Sequence, residues 1–187
     1  MIKYAICGNI ASGKSTVQNI LETEGYAVLD TDKVCHNILS DNKDVIAAFK
    51  DYDIFENNKI SRDKLGKLVF SNPNLKDKLE SVIHPIVKLE IQKFFEQNTS
   101  KDKVFVAIPL LFEANMQDLF DRIIFIYSDD EIRLERLIKR NNYTKDYAQI
   151  RMNAQIPQID KMRKSDIVVF NNGTVEDLKT QILMQVE

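Results

Sequence analysis

The chain has 187 residues and a mass of 21.7 kDa, is 44% hydrophobic and 29% charged, and carries a formal net charge of −2. That length and apolar content suit one core of ordinary size, while five glycines, four prolines and the lack of a low-complexity run exclude collagen-like, linker-dominated and disordered classes. A pI of about 5.8 argues against a general nucleic-acid binder, and no stretch approaches the ~20 apolar residues that span a bilayer.

From the first residues onward, Met1 to Lys3 leads straight into an apolar run rather than a signal segment. The two cysteines, Cys7 and Cys35, are too few for a disulfide framework or a thiolate zinc site. The expected setting is a reducing cytoplasm, with no nucleic acid and no membrane as partner.

Continuous apolar runs at Tyr4 to Cys7, Val104 to Ile108, Ile123 to Tyr127 and Ile167 to Phe170 suit strands buried on both faces, and a shorter run from Tyr26 to Leu29 ends in Asp30. Helical patterns separate them, which predicts an α/β fold with a parallel five-stranded sheet between helical layers. The segment from about 32 to 100 has no convincing strand and carries Leu65, Leu68, Val69, Leu75, Leu79 and Val82 at helical spacing, so it reads as a helical insertion. Pro73 and Pro85 are placed in first turns of helices, where a missing amide hydrogen costs nothing. The stretch from about 129 to 164 is helical and strongly charged. The expected layout is a single domain over 1–187: a core (about 1–31, 101–128 and 165–187), the insertion (about 32–100) and a flap (about 129–164).

Gly8-Asn9-Ile10-Ala11-Ser12-Gly13-Lys14-Ser15 matches the phosphate-loop pattern G-x-x-x-x-G-K-S, with an apolar strand before it and a helical pattern with Val17, Ile20 and Leu21 after it. Glycines let the backbone curl so that amides face phosphate oxygens, Lys14 reaches the β- and γ-phosphates, and the Ser15 hydroxyl is the expected Mg²⁺ ligand. Binding of ATP with Mg²⁺ follows. The guanine-reading N-K-x-D pattern is absent, and the D-x-x-G string Asp63-Lys64-Leu65-Gly66 lies within a helical pattern rather than after a strand.

Asp30-Thr31-Asp32 closes the second strand run, at the end of a parallel sheet that faces ligands. Asp32 is the favoured carboxylate for an attacking hydroxyl; the other reading is that Thr31 or Asp32 caps a helix beginning at Lys33. His36, four residues on, shares its helical face or is an ordinary surface histidine. In the flap, Arg133, Arg136 and Arg140 lie on one side of a helix, with Arg151 beyond the polar tip Asn141 to Thr144. These arginines either swing over a transferring phosphoryl group or form a solvated face in which Asp129 pairs with Arg133 and Glu135 with Lys139.

Taken together, these residues resemble the dephospho-coenzyme A kinase family over nearly the whole chain. The resemblance rests on the phosphate loop, Asp30-Thr31-Asp32 with His36, Arg62, Leu65-Gly66 with Val69-Phe70, and His84-Pro85. It continues through Pro109-Leu110-Leu111-Phe112-Glu113, Arg136 to Arg140, Arg151 with Gln155, Asp166 to Val169 and Asn171-Asn172-Gly173. It implies a P-loop kinase that moves the ATP γ-phosphoryl group to the 3′-hydroxyl of the ribose of dephospho-CoA, giving CoA and ADP. It also makes the insertion an acceptor-binding region and the flap a lid.

By the same resemblance Asp32, Lys14 and Arg140 are catalytic. Gly8, Asn9, Ala11, Ser12, Gly13, Lys14, Ser15, Thr16 and Asn172 hold the nucleotide, and Asp32, His36, Arg62, His84, Leu110, Leu111 and Glu113 meet the acceptor. The family usually has glycine at the positions of Asn9 and Ala11 and commonly alanine at that of Thr31. The expected partners are ATP and dephospho-CoA, in a monomer or weak homo-oligomer. The readings kept beside it are a kinase for another small hydroxyl-bearing metabolite and a nucleotide-binding switch without transfer.

Overall fold

All five apolar runs form strands: β1 (Ile2–Cys7), β2 (Ala27–Asp30), β5 (Lys103–Ala107), β6 (Arg122–Tyr127) and β7 (Ile167–Phe170). They are seen in a computed structural model that describes residues 1–56 and 59–187, with the side chains of all of these but 40 and 41. The strands pair in parallel in the order β2-β5-β1-β6-β7. Register sets Ile6 opposite Ala107 on one side and Ile124 on the other, so β1 is central, and its residues Tyr4 to Cys7 are buried. The chain leaves β1 toward the β2 and β5 side and later crosses to β6 and β7. This reversal opens a crevice beyond the carboxyl end of β1.

Helix α1 (Lys14–Thr23) and helix α9 (Val175–Val186) cover one face of the sheet. Val17, Leu21, Leu178 and Ile182 pack there on Ile6, Phe105, Ile124, Ile126 and Val169. Tyr4 stacks on Phe105 with ring centroids 4.9 Å apart. Each such side chain contributes about 1.5–3 kcal/mol by leaving water. Thr174 begins α9 with a capping box, accepting from the Asp177 amide and returning its own amide to the Asp177 carboxylate. Helices α6 (Asp130–Asn141) and α7 (Lys145–Asn153) pack around a small core of Leu137, Ala148 and Met152, and the short α8 (Gln158–Met162) follows and packs on β6.

The chain divides into two compact units, Met1–Asp30 with Gln97–Glu187, and Thr31–Glu96. The second holds α2 (Thr31–Asp41), α3 (Lys43–Phe49), α4 (Arg62–Phe70) and most of α5 (Pro73–Gln97). It differs from the sequence expectation in three ways. Two-residue strands β3 (Phe55–Glu56) and β4 (Lys59–Ile60) pair antiparallel; they are too short to show an alternating pattern. Pro85 lies inside α5 rather than at a helix start, where it deprives the Ser81 carbonyl of its amide partner; Pro73 does open that helix. Helix α2 begins at Thr31, so Asp32 sits within the first turn, where an acidic group meets the positive end of the helix dipole. Gly66 of the D-x-x-G string lies within α4. Among the described residues no helix is long and apolar enough to cross a membrane.

Candidate active site

The loop between β1 and α1 occupies the crevice at the carboxyl end of the central strand. Gly13 caps α1 at φ 102, a left-handed conformation that disfavours side chains, and a Cβ there would run into the Asn171 amide. At Gly8 a Cβ would lie 2.8 Å from the Ile126 carbonyl oxygen, so the loop's first glycine lets two backbones approach. Ala11 stands at φ 63. This is where the family's glycine would be unstrained, and alanine bears a cost of roughly 1–2 kcal/mol. Ile10 and Ala11 offset part of that by packing on the α6 and α7 core. Among the described residues no side chain caps the start of α1, so its positive end can meet an anion.

Behind the loop, side chains grip its backbone. Arg133 Nε donates to the Ile10 carbonyl at 3.0 Å and its Nη1 to Asp130 at 2.8 Å, while Gln155 Oε1 accepts from the Ile10 amide at 2.7 Å. Asn9 Nδ2 donates to the Ile156 carbonyl at 2.9 Å. The Ser12 carbonyl accepts from Asn171 Nδ2 at 2.7 Å, and Ser128 Oγ donates to the Asn171 carbonyl at 2.5 Å. Arg136 donates to Ser128 Oγ and to the Asn171 carbonyl.

The sequence expectation for Arg133 and Arg136 is corrected here. Arg133 is only 2% exposed and ion-paired to Asp130 rather than Asp129, so it neither swings nor lies on a solvated face. Burial pushes its guanidinium below its ordinary value, yet the group stays charged at neutral pH beside Asp130. Arg140 is exposed in the last turn of α6, donating to Asn141 Oδ1, where a cation also suits the helix end. The exposed Asn172 accepts from the Asp129 amide at 2.9 Å and lines a cavity of about 710 Å³ with Asn9, Tyr127, Phe170, Met152 and Gln155.

Past β5, the chain turns through Pro109 to Asn115. Leu110 is 43% exposed, whereas Leu111 is fully buried in the core and supports the turn from behind. Glu113 meets Lys161 Nζ at 2.7 Å, and Lys161 is 1% exposed. Sequence reading missed this lysine: one more cation in a charged run carries no signal of burial. Among the described residues neither the Glu113 carboxylate nor the Lys161 ammonium group has a further hydrogen-bond partner, so each depends on the other for its charge. Cys7, at the root of the loop, lies in the field of Lys161, Glu113 and Lys14. Burial nonetheless dominates and pushes its thiol up to about 12, which keeps it protonated and inert. Lys161→Met is expected to cost about 3–5 kcal/mol in urea unfolding, because it strands a buried carboxylate. Adding Glu113→Leu to it should recover most of that loss.

Within the second unit, Asp32, His36 and Arg62 line one cavity of about 620 Å³ together with Lys33 and Asn37. Arg62 donates to His36 Nδ1. Arginine has no acceptor, so His36 Nδ1 is the accepting atom of this pair. His84 is in α5 and is not part of this lining; burial pushes its imidazole below the ordinary value.

Among the described residues no group of three His, Cys, Asp or Glu side chains could hold a metal ion. The exposed Ser15 hydroxyl in the first turn of α1 is a hard oxygen ligand, and it fits a Mg²⁺ ion that takes its remaining ligands from phosphates and water.

The sequence profile described as dephospho-CoA kinase matches residues 2–177. The dephospho-CoA kinase of Carboxydothermus hydrogenoformans is 40% identical over 184 residues, covering 95% of this chain and 89% of that protein. A Thermus thermophilus protein of solved structure superposes with a TM-score of 0.88 at 32% identity, covering 99% of this chain and 95% of that one. The dephospho-CoA kinase from Campylobacter jejuni superposes with a TM-score of 0.75 at 28% identity, covering 98% and 94%. With its five-stranded parallel sheet, its phosphate loop and this match along nearly its whole length, the chain belongs to the dephospho-CoA kinase family, phosphotransferases with an alcohol group as acceptor.

Proposed function

We propose that the chain transfers the γ-phosphoryl group of ATP to the 3′-hydroxyl of the ribose of dephospho-CoA, giving CoA and ADP as the final step of coenzyme A synthesis. The observation that carries this reading is the family match over residues 2–177, on a chain whose loop keeps the backbone geometry an anion requires.

The nucleotide is held by Gly8, Asn9, Ala11, Ser12, Gly13, Lys14, Ser15 and Thr16, with Asn172 on the base side. Amides of the loop and the positive end of α1 meet the phosphates, and Lys14 carries a full charge to the β- and γ-oxygens. A Mg²⁺ ion on Ser15 would neutralise charge on the same oxygens. On the acceptor, Asp32 takes the proton of the 3′-hydroxyl as its oxygen bonds to phosphorus. The bond from phosphorus to the β-bridging oxygen breaks, and ADP leaves.

His36 and Arg62, already paired, present a planar cation beside Asp32 for the acceptor's anionic groups, with His84, Leu110 and Glu113 as further acceptor residues. Arg140 neutralises charge that develops on the transferring group. The reaction belongs in the cytoplasm, in keeping with Cys7 and Cys35 forming no disulfide, and the enzyme works as a monomer or weak homo-oligomer. The test is ADP release by the purified protein with Mg·ATP. It should depend on dephospho-CoA, and turnover with adenylate, thymidylate or shikimate but not dephospho-CoA would rule the assignment out.

A further inference from the structure

The loop's carbonyl groups are held more firmly than its amides. In a planar trans peptide the carbonyl of one residue and the N–H of the next point in opposite directions, so fixing one aims the other. Arg133 Nε fixes the Ile10 carbonyl at 3.0 Å, which turns the Ala11 N–H away from α6. Asn171 Nδ2 at 2.7 Å fixes the Ser12 carbonyl, which turns the Gly13 N–H away from the end of β7. Among the described residues neither the Ala11 nor the Gly13 N–H finds an acceptor, whereas the Ser12 and Ile10 amides between and beside them are satisfied by the Asn9 carbonyl and Gln155. Two amides are thus aimed outward, away from the side chains that grip the loop.

The gripping groups are themselves constrained. Arg133 is ion-paired to Asp130 and buried, and Asn171 is buried with its carbonyl tied to Arg136 and Ser128. At Ala11 this matters most, since a residue at φ 63 in place of glycine needs its peptide planes held from outside.

We propose that Arg133 and Asn171 are positioning residues for phosphoryl transfer: held behind the loop, they orient the Ala11 and Gly13 amides toward the triphosphate. This rests on the reading of the loop as the triphosphate site. It reassigns an arginine of the expected lid, and an asparagine of the expected base-side turn, to the orientation of the anion-binding backbone.

Inorganic tripolyphosphate, which carries the anion without base or ribose, separates this role from recognition of the base. Asn171→Asp removes the donor and sets a carboxylate against the Ser12 carbonyl; Arg133→Met removes the donor to Ile10. Each variant is expected to weaken tripolyphosphate binding in calorimetry by roughly tenfold to a hundredfold, the size of a lost charge-assisted hydrogen bond. Dephospho-CoA binding and the circular dichroism spectrum should stay as in the parent. In amide nuclear magnetic resonance the Gly13 signal of Asn171→Asp and the Ala11 signal of Arg133→Met should no longer shift on adding tripolyphosphate.

Tripolyphosphate affinity within twofold of the parent in either folded variant would overturn the proposal, as would equal losses for tripolyphosphate and dephospho-CoA. If Asn171→Asp does not fold, Arg133→Met decides alone by the same readings. A parent protein that binds neither tripolyphosphate nor ATP overturns the reading of the loop itself, an outcome distinct from loss in the variants only.

Discussion

Lys14→Met is expected to lower kcat roughly 10³-fold or more, in the range reported for removing a full charge or a key donor from a phosphoryl or oxyanion site. Lys14 is the first residue of α1, directly after the left-handed Gly13, and so belongs to the positive end of the helix. Its field already reaches the Cys7 thiol at the loop's root. Methionine keeps the stem length and the helix propensity and removes only the charge. The fold should therefore persist, with an unchanged circular dichroism spectrum, while transfer is lost. Unaltered kcat in Lys14→Met would mean that the loop does not handle the transferred phosphate.

Asp32→Asn is expected to lower kcat roughly 10²-fold or more, as for loss of a positioned acid–base group, with little change in the KM for ATP. β2 ends at Asp30 on the carboxyl edge of the parallel sheet, the edge at which β1 runs into the loop, and Asp32 follows two residues later inside α2. Asparagine keeps the shape and the place in the first helical turn but cannot take a proton. A kcat equal to the parent's would remove Asp32 from the transfer step; an effect confined to the KM for dephospho-CoA would make it a binding residue.

Much of this was legible in the sequence because burial leaves a compositional trace. Strands such as Val104 to Ala107 are covered on both faces and so read as unbroken apolar runs, and G-x-x-x-x-G-K-S between a strand and a helix has few other uses. What was hidden has physical reasons. Arg133 and Lys161 carry charges, and a charge in a helical segment reads as solvated; burial became visible only when the carbonyl of Ile10 and the carboxylate of Glu113 were seen beside them. Pro85 reads as a helix start, yet it lies within the long helix α5, whose neighbouring turns carry the structure across the missing amide. Leu110 and Leu111 look alike in the sequence, and only the turn after β5 shows that one faces solvent and the other the core. β3 and β4 were invisible because two residues carry no periodicity.

The central claim is that this chain moves phosphate from ATP to one particular hydroxyl. The most direct measurement follows the label from γ-labelled ATP into product made from dephospho-CoA, with the phosphate position assigned by phosphorus nuclear magnetic resonance and by sensitivity to a 3′-nucleotidase. The account predicts one labelled phosphate per acceptor, on the ribose 3′-oxygen, in a product identical to CoA. Label released only as inorganic phosphate, or found at any other position, would contradict it.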